Sequence, residues 1–121
     1  MRTPSFPLIL RTAHGPYFFN ARTLLRIDAE DKVARITTTD GQHTVVLHPL
    51  SDLEDRLCCG QRIGDLLFAR THRSCIVALH HVQAVDPERN LVLDEQLVVP
   101  MSKRAWPEFT HLLGTLRSWL L

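Results

Sequence analysis

Residues 68–85 read FARTHRSCIVALHHVQAV, and this stretch decides how the chain folds. Within it Ser74–Leu79 (SCIVAL) is a continuous apolar run, the mark of a buried strand. A short strand over Phe68–Arg70 comes before it, and Val82–Val85 continues after His80 and His81. Between the first two lies a polar, basic connection, Arg70 to Ser74. Two arginines, a histidine and two hydroxyls make it a donor-rich tip suited to phosphate oxygens and base edges. Loops held by a rigid sheet are where binding residues concentrate. No Asp or Glu occurs from Phe68 to Val85, whereas acids cluster at Asp28, Glu30 and Asp31 and at Asp52, Glu54 and Asp55. This distribution allows a one-sided basic surface.

Working outward, strands are expected at Leu8–Thr12, Tyr17–Asn20, Leu24–Asp28, Lys32–Thr38 and His43–Leu47, with a turn at His14-Gly15-Pro16. Asp40-Gly41 is the strongest hairpin signal in the chain. The period then changes. Leu50, Leu53 and Leu57 stand at i, i+3 and i+7, one face of a helix. Pro49 and the acids fit its start, and Gly60 fits its stop. Beyond the central stretch, Asp86–Asn90 reads as a turn, and Leu91–Leu93 and Gln96–Val99 as a hairpin around Asp94-Glu95. From Trp106 to Leu121, Trp106, Phe109, Leu112, Leu113, Leu116, Trp119 and Leu120 recur at helical spacing, with Pro107 in the first turn. Residues 1–7, carrying Pro4 and Pro7, read as a loose tail. The expectation is a mainly β fold with antiparallel hairpin connections. It is a single domain over residues 8–121, with a short central helix and a C-terminal helix over 106–121.

The 121 residues include 45% apolar and 22% charged side chains, ordinary globular values that exclude a disordered chain or a fibrous rod. No apolar run approaches the roughly 18–20 residues of a membrane span. The N-terminus lacks a signal-peptide pattern, so a cytoplasmic location is expected. Fourteen Lys and Arg against thirteen Asp and Glu leave a net charge of +1. Cys58, Cys59 and Cys75 cannot all pair within one chain, and a bridge between neighbours is strained, so reduced thiols are expected.

Enzymatic signatures are lacking. Seven histidines occur, but no C-x2-C accompanies them at zinc-site spacing. His80 and His81 would point to opposite faces of a strand. His72, Ser74 and Cys75 are too close in sequence to make an oriented base–nucleophile pair within a strand. Five scattered glycines form no phosphate loop. The helix carboxylates read as surface charge. No catalysis, cofactor, metal or small-molecule substrate is expected.

Four segments in order resemble the LytTR family of DNA-binding domains, the output domains of many bacterial response regulators. FARTHRSCIVALHHVQAV is similar to the family's F-x-R-x-H-R-S-x-I-V-N and the strand after it. Leu50–Leu57 (LSDLEDRL) resembles its S-L-x-x-L-E-x-x-L helix, Leu24–Lys32 (LLRIDAEDK) its I-x-Y-I-E-A strand and loop, and Val99–Arg104 (VPMSKR) its L-P-V-S-R. The chain departs from the pattern at Ala78, where the family usually has Asn, and at Val33 and Ala34, near a loop that often supplies a polar base contact. No receiver domain precedes these motifs, so the chain reads as an output domain, alone or excised.

The resemblance implies an elongated set of antiparallel sheets and a sequence-specific DNA-binding transcriptional regulator whose loops enter successive major grooves. It makes Arg73 the first candidate for a base-edge contact, Lys103 and Arg104 the donors of a second loop, and Lys32 and Arg35 those of a third. Arg70 and Ser74 would hold phosphates or the loop itself. His72 would touch DNA or bond backbone where the strand begins. The rival reading is a protein-interaction module that has lost DNA binding and docks through the C-terminal helix. Because Trp119, Leu120 and Leu121 extend past the family's usual end, a homodimer through that tail is also expected.

Overall fold

The computed structural model describes residues 7–58, 66–85, 90–93, 98–99, 101–103 and 107. Ten strands and one α-helix occur among them, in the order β1 (Pro7–Thr12), β2 (Gly15–Asn20), β3 (Leu24–Glu30), β4 (Val33–Thr38), β5 (His43–Val46), α1 (Leu50–Leu57), β6 (Phe68–His72), β7 (Cys75–Ala78), β8 (Val82–Val85), β9 (Leu91–Leu93) and β10 (Val98–Val99). The fold is mainly β and every strand pair is antiparallel.

Three sheets result: β1-β2, β10-β9-β8, and a five-stranded sheet ordered β5-β4-β3-β7-β6. The last is the frame of the molecule. Its strands alternate, so successive residues face opposite sides. Ile76 and Ala78 of β7 join Ile27, Ile36 and Phe68 in a core closed by Leu50, Leu53 and Leu57 of α1 and by Leu10 and Phe19 of the β1-β2 hairpin. Cys75 and Val77, one step along, join a second core with Leu25, Leu67, Ala69, Leu91, Leu93 and Val99. The apolar run Cys75–Ala78 is therefore buried on both faces, because helix and hairpin cover one side and the smaller sheet covers the other.

The local signals explain the turns. Gly41 has φ +84°, a conformation that glycine adopts without steric cost, and it closes the β4–β5 hairpin through a bond from its N–H to the Thr38 carbonyl (3.0 Å). The β3–β4 hairpin turns on Asp31-Lys32, with Glu30 opposite Val33. Asp31 takes φ 65° there, which a short polar side chain tolerates better than most. Leu50, Leu53 and Leu57 are the buried face of α1, as their spacing predicts.

Several boundaries differ from the sequence reading. β1 begins at Pro7, inside the stretch read as a tail; as the first residue of a two-stranded edge its missing N–H costs no ladder bond. β3 runs on to Glu30. His80 and His81 lie in a 3₁₀ turn, Leu79–His81, not in a strand. The Leu79 N–H bonds the Leu67 carbonyl (2.7 Å), and the His81 Nε2–H donates to the Arg22 carbonyl (2.7 Å). The two imidazoles consequently sit 4.6 Å apart, centroid to centroid. Residues 1–6, Cys59, Gly60, the expected turns at 86–89 and 94–97 and, Pro107 aside, the expected helix 106–121 lie outside the described residues.

Candidate nucleic-acid interface

β3 and β7 pair antiparallel, with Asp28 opposite Cys75. The end of β3 therefore meets the start of β7, and the β3–β4 and β6–β7 turns share one end of the five-stranded sheet. The Ala29 N–H donates to the Ser74 carbonyl at 2.9 Å, tying the two turns together. Alongside, the Ser102 N–H donates to the Thr71 carbonyl at 2.8 Å, which brings the 101–103 segment against β6 next to the same turn.

Lys32, Arg73 and Lys103 are exposed cations of this end, as is Arg35. Arg73 and Ser74 form the two-residue connection between His72 and Cys75. Within it the Ser74 N–H donates to His72 Nδ1 (3.2 Å), and the Ser74 hydroxyl lies 2.8 Å from the same nitrogen. A nitrogen that accepts from a backbone N–H carries no proton, so the Ser74 hydroxyl also donates to it. His72 thus makes the bond to backbone that was one of the two roles expected for it.

Two further candidates are committed to ion pairs. Arg35, opposite Asp28 on β4, pairs with Glu30 at 2.6 Å. Arg70 pairs with Glu54 of α1 at 2.7 Å and also donates to the Arg73 carbonyl. Arg104 lies outside the described residues. The helix acids lie at the surface, as the sequence suggests, and both are paired: Glu54 holds Arg70, and Asp52 sits 2.9 Å from His48 Nδ1. His48 is buried, and its Nε2 accepts from the Arg11 N–H (3.0 Å), so its Nδ1–H donates to Asp52. That bond, with Arg56 nearby, holds the Asp52 carboxyl below its ordinary range. The signal for Glu54 is faint, one acid of a cluster of three, with a partner sixteen residues away.

Beside the turns, Arg26 grips Asp28 through two bonds of 2.9 and 2.6 Å. Cys75 is buried, and that burial, with the Asp28 carboxylate nearby, pushes its thiol up to about 12. The opposite end of the sheet is different in character. A cleft of about 280 Å³ between β2 and the β4–β5 turn is lined by Tyr17, Phe18, Asp40 and Gln42, with no Lys or Arg among its walls.

One end of the five-stranded sheet thus gathers the turns that carry Lys32 and Arg73, with the segment of Lys103 alongside. The LytTr DNA-binding domain family matches residues 15–114, and the chain belongs to it. Among solved structures, the chain is similar to one described as the LytTr DNA-binding domain of a putative methyl-accepting/DNA response regulator from Bacillus cereus. The two are 25% identical with a TM-score of 0.71, over 93% of this chain and 99% of the other. No curated protein matches the sequence. No helix among the described residues is long and apolar enough to cross a membrane.

Proposed function

We propose that this domain binds duplex DNA sequence-specifically as the output module of a transcriptional regulator, reading bases from its turns. The observation that carries this reading is the convergence of Lys32, Arg73 and Lys103, all exposed, at one end of a sheet whose turns are cross-bonded by Ala29 and Ser74. Arg73 is the base-reading side chain. Lys32 and Lys103, with Arg104 next in sequence, hold flanking phosphates. Arg35 and Arg70 are already engaged by Glu30 and Glu54 and act behind the contact surface, while Ser74 and His72 shape the turn. The near-neutral net charge is compatible with this role, since Asp28 and Glu30 at this end are neutralised by Arg26 and Arg35 and a phosphate meets local rather than net charge. Selection from a library of random duplexes tests it: tight, salt-sensitive binding to an enriched sequence supports the reading, and failure to enrich any sequence refutes it.

A protein-docking role is the second reading. It is favoured by the outer face of the β1-β2 hairpin, where Ile9 lies opposite Phe18 and the two are 50% and 66% exposed. The apolar stripe in residues 106–121 suits a homodimer contact, which is proposed on sequence grounds.

A further inference from the structure

We propose that Glu54, on α1, is a positioning residue for the DNA-reading turn, acting through Arg70; the inference rests on the DNA-binding reading above. The geometry is a relay from core to turn. α1 is anchored by Leu50, Leu53 and Leu57, all buried. On the same helix Glu54 Oε1 accepts from Arg70 Nη1 at 2.7 Å. Arg70 lies opposite Ile76 on β6, so both face the α1 side of the sheet. Its Nη2 donates to the carbonyl of Arg73. The guanidinium is planar, always charged and rigid. Holding one of its nitrogens on the helix therefore fixes where the other meets the turn.

Both backbone groups of Ser74 are held as well. The Ser74 N–H is taken by His72 Nδ1, and the Ser74 carbonyl by the Ala29 N–H. With the Arg73 carbonyl braced by Arg70, the backbone from which the Arg73 side chain departs is set before any DNA arrives. Ordering done on folding is not repeated on binding, which favours affinity for the one sequence the fixed geometry fits.

The sign of the expected effect separates positioning from simple charge. Glu54 is an acid close to a surface that meets phosphates. If it acted only through its charge, Glu54→Gln would strengthen binding to every duplex. As a brace, Glu54→Gln keeps an acceptor oxygen but gives up the charge-assisted bond to Arg70, which weakens binding to the selected duplex about three- to tenfold while binding to unrelated duplexes stays equal or tightens. Arg70→Lys is the companion variant. It keeps the charge, but a single ammonium lacks the planar fork that spans Glu54 and the Arg73 carbonyl, so it also loses selective affinity. In an Arg73→Ala background, Glu54→Gln has little further effect, because the side chain being aimed is gone.

The experiment measures binding of wild type, Glu54→Gln, Arg70→Lys and Arg73→Ala, with the double variant Glu54→Gln/Arg73→Ala, to the selected and a scrambled duplex. Hydrogen exchange at the Ser74 amide in the free protein is read alongside, and accelerates in Glu54→Gln if the brace holds the turn. If wild type selects a sequence and Glu54→Gln binds it as tightly as wild type or tighter, the brace is refuted and the DNA-binding reading stands. If wild type selects nothing, the reading and the brace fall together.

Discussion

Ser74 accepts a hydrogen bond from Ala29 at 2.9 Å, carbonyl to N–H, across the junction of β3 and β7. The residues lie forty-five apart in sequence, yet this contact joins the turn carrying Lys32 to the turn carrying Arg73. The two turns are consequently held together, so a change in either is felt by the other.

Truncating Arg73 to Ala is expected to cost about 1–3 kcal/mol on the selected duplex and to relax preference at one base pair. Its side chain is exposed on the turn, so folding stability is unaffected by the change. Titration of the duplex with both proteins checks this. Equal affinity would remove Arg73 from its assigned role.

Salt dependence follows from which cations remain available. Lys32, Arg73 and Lys103 make no ion pair among the described residues, and Arg104 follows Lys103 in sequence, whereas Arg35 and Arg70 are paired with acids. The slope of log K against log salt is therefore expected to be no steeper than about −4 per domain. A slope of about −5 would mean that the Glu30 and Glu54 pairs open on binding. A slope near zero on every duplex would favour the protein-docking reading.

Cys75 is expected to be chemically quiet. Its burial raises the thiol to about 12 from an ordinary 9.0, so almost no thiolate, the reactive form, exists at neutral pH. The stability gained by keeping this group neutral is fully present below the unfolded thiol's pKa of 9.0 and is lost as pH rises toward about 12, because the unfolded chain ionises first. Mass spectrometry after iodoacetamide treatment should find Cys75 unmodified in native buffer and labelled in denaturant. Native labelling at the rate of a free thiol would contradict the packing described.

Much of this was legible in the sequence, for identifiable reasons. Asp40-Gly41 announced its hairpin because glycine alone enters that conformation freely, and the leucines of α1 announced their helix by spacing. The turn at Asp31-Lys32 was less visible, since Asp31 adopts its positive φ without a glycine to mark it. The 3₁₀ turn holding His80 and His81 depends on Leu67 and Arg22, which are distant in sequence. The candidate cations were found by local pattern, but their division into paired and available ones was not. Arg70 meets Glu54 only because β6 lies beside α1, and His48 is buried only because Asp52 and the Arg11 N–H satisfy both its nitrogens. No local rule reports such contacts.

The tail bears on self-association. Trp106, Phe109, Leu113, Leu116 and Leu120 form one apolar stripe in sequence. The full chain is expected to sediment as a dimer at tens of micromolar and a version ending at Leu113 as a monomer, consistent with an association surface in the residues after Leu113. Monomers in both cases would end the dimer proposal.

The central claim is that DNA meets the sheet end where the basic turns converge. Mapping amide chemical-shift changes while the selected duplex is added tests this most directly. The account expects the largest changes at residues 31–33, 72–75 and 101–104, with the hairpin residues Ile9 and Phe18 nearly unmoved. Changes centred on the β1-β2 hairpin or on residues 106–121, with the turns silent, would contradict it.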